Sequence, residues 1–577
     1  MRRWFKYVKP YLSSFILGPL GMIVEVVGEM FMPLLMARII NSYDANTLTV
    51  GKSIAISAIL TGIVVIMMIG GVCGAYFGAK ASVNFAADLR KDVYSKVQRY
   101  SFSNIDKFST GSLVTRMTND VTQLQNFLNM LLRMALRSPG MLIGGVIMAI
   151  ILKPSLSLVL AVTIPMMLIF IFMLIRISFP RFGIMQKKID RLNSTVRENV
   201  TNVRVVKSFV REDFEVDKFQ TDNAELKKSG MSAVKVMILM GPVMNFFMYV
   251  SVMAIIWFGH DMVLGGSLGY GDLSAFISYA TQILSSLMMI TFLLMTSSRA
   301  LASGKRICEV LDEKIDLTDE NASNSEKRVT SGNVEFKNVS FKYYKGSEER
   351  VLDNINIKIE AGSTVGIIGS TGCGKTTLVS MIPRLYDADE GEILVDGVNV
   401  KDYSLVNLRD GVGMVLQKNL LFSGTIAENL RWGNENADEE EIKKFSAYAA
   451  ADKFISSFSE GYDTMLNKGG TNLSGGQKQR VCIARALIKK PKILILDDST
   501  SAVDTATEAQ IREALSTELS DCTKIIIAQR ISSVRYAEKI IVMNDGKITG
   551  IGTHEELLQN NTEYSEIYHS QTDKKEA

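Results

Sequence analysis

The sequence predicts two domains of different fold class: an α-helical transmembrane domain of six spans, followed by an α/β domain built around a phosphate-binding loop (P-loop). Apolar runs of about 20 residues, the length that crosses a bilayer, recur through the first half of the 577 residues. From about residue 325 onward, the composition becomes that of an ordinary soluble domain. There, a strand, a glycine-rich loop and a helix follow one another in the order that a P-loop requires.

Six apolar segments are the candidate spans. Four of them contain no charged residue: 54–78, 155–175, 236–259 and 273–298. Two contain charges, and they cover residues 12–40 and 127–152. Lysine and arginine are concentrated in two long connections, 79–126 and 176–235, whereas the short loops between spans hold only Lys52 and Lys153. Because positive residues favour the cytoplasmic side, both long connections and both ends of this half are expected in the cytoplasm.

The long connections are expected to be helical, because charged residues alternate with recurring apolar positions over 80–100 and 186–228 without a proline. Two turns interrupt them, at 101–112 and 205–219. Either the two helical hairpins are solvated on all sides, or their tips touch a cytoplasmic domain. The pattern alone leaves both interpretations open.

Glu25 and Glu29 stand four residues apart in the first candidate span, and hence on one face of a helix. Charges inside a span are energetically costly and usually face a cavity or a partner of opposite charge. Two interpretations stay open. The pair lines a substrate cavity, which would favour cationic or amphipathic substrates, or it lies near the membrane boundary or beside a basic residue of a neighbouring span.

Composition argues against several other classes of protein. The net charge of +4 is too small to indicate a nucleic-acid partner. The five cysteines are odd in number and lack CxxC spacing, so neither a disulfide framework nor a zinc site is indicated. No cleavage site for a signal peptide is evident, so the basic N-terminus is expected to lead into the first span from the cytoplasm.

A polar segment at 318–333 is the expected linker between a membrane domain at 1–317 and a nucleotide-binding domain at 334–577. The strand TVGIIG runs into the P-loop, GSTGCGKTT. Its glycines let the backbone curl and direct N–H groups at phosphates, and its lysine adds a positive charge. The P-loop residues expected to bind nucleotide are Gly369, Gly372, Gly374, Lys375, Thr376 and Thr377. The Thr376 hydroxyl and the carboxylate of Asp497, which ends the apolar run KILILD, are the expected ligands of Mg²⁺.

The segment NLSGGQKQR contains the sequence LSGGQ, with Ser474, Gly475, Gly476 and Gln477. By this signature motif and the order of the others, the chain resembles the ATP-binding cassette (ABC) superfamily over nearly its whole length. The resemblance implies ATP and Mg²⁺ as cofactors. It also implies that Tyr343 stacks on adenine, that Gln417 reaches Mg²⁺ and the attacking water, and that Asp504 ends a D-loop, SAVD.

The same resemblance implies a half-transporter of the multidrug and lipid-flippase kind. Two such chains pair, and each ATP lies between the P-loop of one chain and the signature motif of the other. The interrupting turns at 101–112 and 205–219 then look like coupling helices, which contact the cassettes.

The chain departs from the pattern of this family at three positions. Asp498 stands where the family usually has the glutamate that polarises the attacking water, Gln529 replaces a histidine, and Lys468 replaces another glutamate. A carboxylate one methylene shorter falls about 1 Å short of its target, an error that can cost ~10²-fold in rate. An amide can bond the γ-phosphate but lacks the charge of an imidazolium. ATP at this chain's own P-loop is therefore expected to be hydrolysed poorly.

An intact LSGGQ beside a weakened catalytic pair is the pattern of one subunit in bacterial heterodimeric exporters of the multidrug type. The expected partners are a second half-transporter, the lipid bilayer and a small amphipathic substrate. The expected location is a bacterial cell membrane, with the cassette in the cytoplasm. A homodimeric lipid or peptide exporter and a nucleotide-gated regulatory membrane protein are the alternatives.

Overall fold

The structure, a computed structural model, describes residues 2–320, 322–344, 348–499 and 503–572. It divides into two compact units. The first comprises Met1–Gln98 and Gly111–Asp312, and the second comprises Arg99–Thr110 and Glu313–Ala577. The second unit therefore includes the segment that the sequence predicts to be a linker, together with a short stretch that interrupts the first unit along the chain.

Helices make up the first unit. The helices up to residue 312 are α1 (Arg2–Val8), α2 (Leu12–Asp44), α3 (Val50–Gln98), α4 (Phe102–Lys107), α5 (Thr110–Thr115), α6 (Val121–Met134), α7 (Arg137–Leu152), α8 (Pro154–Thr201), α9 (Val203–Ser208), α10 (Glu212–Ile238), α11 (Met240–Leu264) and α12 (Tyr270–Asp312). Of these, α4 lies in the second unit.

The described residues form six helical stretches that are long and apolar enough to cross a membrane: Arg3–Asp44, Val50–Gln98, Thr110–Leu152, Pro154–Thr201, Glu212–Leu264 and Tyr270–Asp312. Each predicted span lies in a different stretch, so the prediction of six spans is confirmed. Large apolar side chains point outward from them, and Ile169 and Trp257 are 69% and 75% exposed in the isolated chain. A bilayer would cover this apolar surface.

Glycines allow the first two long helices to approach closely. A Cβ on Gly21 of α2 would lie 2.5 Å from the carbonyl oxygen of Gly70 on α3, which is too close for any side chain. Small residues at such crossings let the backbones of membrane helices come together. The pair α2 and α3 is therefore held by backbone-level packing.

The second interrupting turn is shorter than the sequence predicts. The prediction of a turn over 205–219 is wrong for 212–219, because α10 already begins at Glu212. Its first turn holds Glu212, Asp213 and Glu215. Negative side chains there are favoured by the helix dipole, which explains why the helix starts at this point.

The second unit is an α/β domain. Its strands are β1 (Val334–Phe341), β2 (Leu352–Ile359), β3 (Thr364–Gly369), β4 (Glu390–Val395), β5 (Val398–Asn399), β6 (Val412–Val415), β7 (Gly424–Thr425), β8 (Met465–Leu466), β9 (Ile493–Asp497), β10 (Thr523–Ile527), β11 (Lys539–Asn544) and β12 (Lys547–Gly552). Its further helices are α13 (Lys375–Ser380), α14 (Leu405–Asp410), α15 (Ile426–Arg431), α16 (Glu439–Tyr448), α17 (Asp452–Ile455), α18 (Gly475–Ile488), α19 (Thr505–Thr517), α20 (Ile531–Val534), α21 (His554–Asn560) and α22 (Thr562–Thr572).

The strands form a six-stranded sheet in the order β12-β11-β3-β10-β9-β6, a four-stranded sheet in the order β2-β1-β4-β5, and the pair β7-β8. In the six-stranded sheet, β11, β3, β10, β9 and β6 run parallel, and β12 is an antiparallel edge. The predicted α/β class is confirmed. The ends of β3 and β9, at Gly369 and Asp497, therefore emerge at one edge of the sheet, where open parallel sheets bind ligands.

Candidate functional site

The backbone of the P-loop requires its glycines. Gly369, Gly372 and Gly374 have φ angles of +156°, +90° and +96°, a region that residues with a side chain rarely adopt. A Cβ on Gly369 would also lie 2.1 Å from the carbonyl oxygen of Met543 on β11. The path from β3 into α13 is therefore specific to a glycine-rich sequence.

Lys375, the first residue of α13, is buried at 9% exposure. Its ammonium donates hydrogen bonds to the carbonyl oxygens of Gly369 and Ser370, at 2.8 and 2.7 Å. These bonds keep the positive charge within the loop. An anion that entered the loop would gain a charge-assisted hydrogen bond from this ammonium.

The two expected Mg²⁺ ligands lie side by side. The Thr376 hydroxyl donates to Oδ2 of Asp497 at 2.9 Å. Burial raises the pKa of Asp497, because an ionised carboxylate is poorly solvated there, while the bond from Thr376 lowers it. A divalent cation would stabilise the ionised form. Mg²⁺ commonly takes one or two carboxylates and obtains its other ligands from phosphates and water, so this pair of oxygens fits it.

Asp498 adopts a left-handed backbone conformation, with φ of +48°. Its Oδ2 accepts a hydrogen bond of 3.0 Å from Nε2 of Gln529, and Gln417 also bonds its carboxylate. Its backbone carbonyl accepts from Nε2 of Gln479 at 3.2 Å. Burial raises the pKa of Asp498, and the side-chain amides of Gln417 and Gln529, together with nearby cations, partly offset that effect. The three residues predicted to act in catalysis therefore meet at one point.

Tyr343 lies beside the P-loop. Its hydroxyl is 2.9 Å from Oγ1 of Thr377. The rings of Phe341 and Tyr386 contact it edge-on, with centroids 5.0 and 5.2 Å away. Because the ring is still 42% exposed, it has surface on which a flat base can stack.

These groups line one cavity of about 400 Å³. Its lining comprises Tyr343, Val351, Thr371, Gly372, Gly374, Lys375, Thr376, Thr377, Gln417, Asp497, Asp498, Ile527 and Gln529. Sequence reasoning missed Val351, Thr371 and Ile527. Thr371 lies inside the P-loop motif, and Ile527 ends an apolar strand just before Gln529. Their positions beside these motif residues could have identified both from the sequence. Val351 has no sequence signal, since only the fold brings it to the loop.

The signature motif is well formed but does not line that cavity within the part of this chain that the structure describes. Ser474 caps α18: its Oγ accepts from the backbone N–H of Gln477 at 3.3 Å, and its own N–H donates to the Gln477 side chain at 2.9 Å. Gly475 and Gly476 follow in the first turn of the helix. The exposed start of α18 therefore presents its positive end to the outside of this chain.

Asp504 likewise caps a helix. Its side chain accepts from the backbone N–H of Thr507 at 2.9 Å, at the start of α19. The first two residues of the predicted D-loop, Ser501 and Ala502, lie outside the described residues. Asp504 does not line the P-loop cavity as the described residues form it.

In the first unit, Glu25 and Glu29 of α2 both pair with Arg137 of α7, at 2.8 and 2.6 Å. The pairing with a basic residue of a neighbouring span, one of the two open interpretations, is therefore present. Glu29 also borders a cavity of about 320 Å³, which the methionines Met32, Met36 and Met67 help to line. The same cluster thus combines an ion pair with a position beside a cavity.

The first interrupting turn, 101–112, contains α4, which packs within the second unit. The hydroxyl of Tyr386 donates to Asp106 at 2.9 Å, and the rings of Phe102 and Tyr386 lie 6.0 Å apart. Nδ2 of Asn104 donates to the carbonyl oxygen of Lys314 at 2.9 Å. The stretch that contains α4 is therefore part of the second unit, and Tyr386 contacts both α4 and Tyr343.

Comparison with known proteins agrees with both units. The family model described as the ABC transporter transmembrane region matches residues 15–287, and the one described as ABC transporter matches residues 352–501. The chain belongs to the ABC transporter family and is a membrane protein with six spanning helices and an ATPase cassette.

Among its relatives, the ABC transporter ATP-binding protein YfiB of Bacillus subtilis is 39% identical over 575 residues, which cover 99% of this chain and 98% of the relative. An ABC transporter ATP-binding protein of Mycobacterium tuberculosis is 36% identical over 572 residues, 98% of this chain and 97% of the relative. A solved structure of a bacterial Atm1-family ABC exporter with ATP bound superposes with a TM-score of 0.79 at 23% identity, covering 98% of each chain. The fold is thus that of an ABC exporter.

Proposed function

We propose that this chain is one half of an ATP-driven exporter of small amphipathic compounds. Its own P-loop site hydrolyses ATP poorly, and its signature motif completes the competent site of a different subunit. The fold of an ABC exporter supports export. One membrane domain and one cassette support a half-transporter, which needs a second copy or a partner to enclose ATP.

ATP would bind in the P-loop cavity with its base on Tyr343 and its phosphates over the P-loop. Lys375 offers its ammonium to the terminal phosphates, and Thr376 and Asp497 offer two oxygens to Mg²⁺. The cation supplies charge neutralisation to the phosphates. What this chain provides is orientation: the ends of β3 and β9 fix these groups at one edge of the sheet.

The contact between Gln529 and Asp498 carries the proposal of unequal sites. One carboxylate oxygen of Asp498 already accepts a bond from Gln529, and the side chain is one methylene shorter than the glutamate usual at this position. Burial raises the pKa of Asp498, a direction that strengthens a proton acceptor. We therefore attribute the weak hydrolysis to reach and orientation, which decide rate in a positioned catalytic group.

The state of the signature motif supports a different partner subunit. Ser474 and Gln477 bond each other reciprocally, and the start of α18 is exposed. A helix start of this kind binds phosphate when it is placed against one. In a homodimer of this chain both ATP sites would be slow, and the intact signature motif would complete no efficient site. In a heterodimer it completes the partner's site.

The cluster of Glu25, Glu29 and Arg137 supports an amphipathic substrate. With all three groups ionised, one negative charge remains on the cluster. It lies beside a cavity whose lining includes flexible methionines, which adapt to ligands of varied shape. We propose that cationic amphipathic compounds are preferred.

The test uses the complex as it exists in membranes of its source. The tagged chain is purified from these membranes, and its co-purifying partners are identified. The complex is then reconstituted into vesicles with the cassettes outside, and accumulation of the cationic dye ethidium is followed. We expect a second half-transporter chain, and ATP-dependent accumulation against a gradient that a non-hydrolysable ATP analogue does not support.

Other outcomes contradict the proposal in distinct ways. Recovery of this chain alone would indicate a homodimer. Dye that equilibrates across the membrane without accumulating, under ATP or its analogue alike, would indicate a nucleotide-gated channel. Accumulation of neutral lipids or peptides in place of the dye would retain export and overturn the substrate class.

A further inference from the structure

A second cavity lies in the α/β domain, on the face of the six-stranded sheet that α19 covers. Its volume is about 450 Å³, which is within the range of roughly 300–1,000 Å³ usual for small-molecule sites. Leu496 of β9, Ile526 of β10 and Leu515 of α19 give it an apolar interior. It shares no lining residue with the P-loop cavity, so nucleotide binding does not explain it.

A buried lysine opens into this cavity. Lys524 of β10 is 4% exposed and belongs to the lining. Among the described residues its ammonium has no hydrogen-bond or ion-pair partner, and the acids Asp521 and Glu538 act on it only from a distance. Burial lowers the pKa of Lys524. An unpaired buried charge is costly, and an anion bound beside it would relieve that cost.

The charges nearer the surface limit which anion fits. Arg512 stacks over the ring of Tyr536 at 4.3 Å, so its charge is partly engaged. Glu508 and Glu513 also line the cavity. These two acids would repel a multiply charged anion such as a nucleotide, part of whose charge would remain beside them. An anion with a single negative charge can place that charge at Lys524, deeper in the cavity than the two acids. The apolar interior favours a ligand with a compact hydrocarbon body.

We propose that this cavity is a regulatory binding site for a small monocarboxylate with a compact apolar body. The carboxylate accepts hydrogen bonds from the Lys524 ammonium. The body packs against Leu496, Ile526 and Leu515.

The position of the cavity connects it to the nucleotide site. Leu496 immediately precedes Asp497, and Asp504 caps α19. The cavity also includes Ser533 of α20, a helix that begins two residues after Gln529. A ligand between these elements contacts the supports of the catalytic groups, so its binding should change ATP turnover. This consequence rests on the proposed function, whereas the binding itself does not.

The binding test uses 4-(trifluoromethyl)benzoate as the probe, with the purified complex in lipid nanodiscs and fluorine NMR as the readout. Empty nanodiscs correct for partition into lipid. Lys524→Met removes the charge but keeps an apolar stem, and Lys539→Met removes an exposed charge from β11, which β3 separates from β10. A hydrogen bond to a charged group is worth roughly 1.5–3 kcal/mol, so Lys524→Met should weaken binding about tenfold or more. Lys539→Met should not change it.

Two further comparisons make the outcome decisive. The neutral analogue 4-(trifluoromethyl)benzyl alcohol should bind wild type at least about tenfold more weakly than the acid, by the same arithmetic. Ala509→Leu, which fills part of the cavity from α19, should abolish binding even if Lys524→Met disturbs folding. Equal affinity of the acid for wild type and Lys524→Met, equal affinity of acid and alcohol, or no saturable binding to wild type would each overturn the site.

The regulatory part is tested separately. The probe at saturation should change steady-state phosphate release by wild type but not by Lys524→Met. If the probe binds but does not change the rate of phosphate release, the regulatory role is overturned and the binding site itself stands. If neither the wild-type complex nor the Lys524→Met complex hydrolyses ATP, the proposed function is contradicted. The binding site would still be tested in that case, because the binding measurement needs no ATP turnover.

Discussion

Lengthening one side chain should raise ATP hydrolysis at this chain's own P-loop. Asp498→Glu adds one carbon–carbon bond, about 1.5 Å, and would carry the carboxylate past the amide of Gln529, which now bonds Oδ2 at 3.0 Å. A displacement of about 1 Å in a catalytic group is worth on the order of 10²-fold in rate. Because Gln529 still lacks the charge of a histidine, we expect a gain of about tenfold to a hundredfold, not full recovery.

The assay must isolate this site from the partner's site. Ser474→Arg in the same chain blocks the site that this signature motif completes, so residual phosphate release in that background reports the P-loop of this chain. Single-turnover hydrolysis is compared for Asp498→Glu and for Asp498→Asn, which keeps the size of the side chain but removes its charge. The glutamate variant should be faster than the parent and the asparagine variant slower. No gain in the glutamate variant, with nucleotide still bound, would refute the argument from reach.

Three further changes test other parts of the account. Tyr386→Phe keeps the ring but removes the hydrogen bond to Asp106. ATP-dependent transport should therefore fall several-fold while nucleotide affinity stays unchanged, as measured by transport assays and nucleotide titrations on the same preparation. A loss of nucleotide affinity that matches the loss of transport would contradict a role in coupling. Asp396→Asn weakens a carboxylate that accepts bonds of 2.7–3.0 Å from the backbone N–H groups of residues 330–333 and should lower stability by about 2 kcal/mol. Although burial raises the pKa of Asp396, those four bonds bring the pKa below its ordinary value. The stability that the carboxylate contributes is therefore fully present above its pKa in the unfolded chain and is lost as the pH falls through its pKa in the folded protein. The rate of proteolysis at 330–333, measured against pH, reports this loss, and an identical pH profile in the variant would contradict the prediction. Arg137→Met leaves two acids of the first span without their cation and should cost roughly 3–5 kcal/mol, seen as a lower unfolding temperature than Arg133→Met gives.

Features fixed by local chemistry could be predicted from the sequence. The six spans follow from the length of the apolar runs, since backbone polar groups cannot remain unpaired in lipid. The P-loop glycines follow from the left-handed backbone that Gly372 and Gly374 adopt. Asp497 was placed correctly at the end of its strand because a short apolar run that ends in a carboxylate has few other interpretations.

Features that depend on distant packing could not. Arg137 follows Glu29 by more than a hundred residues, so their pairing arises from the contact of α2 with α7 and not from any spacing. Tyr386 carries no motif, and only the docking of α4 shows its contact with Asp106. The predicted turn also extended past Glu212, although the acidic first turn of α10 favours a helix that starts there.

One comparison tests the central claim most directly, that the signature motif of this chain serves an efficient site while its own P-loop does not. Steady-state phosphate release is measured for co-expressed complexes, purified and normalised to protein, that carry either Ser474→Arg or Asp498→Asn in this chain. Ser474→Arg places a bulky cation at the exposed start of α18 and should nearly abolish the activity. Asp498→Asn should leave most of it in place. An Asp498→Asn complex as inactive as the Ser474→Arg complex would show that this chain's own site performs the hydrolysis, and would contradict the heterodimer of unequal sites.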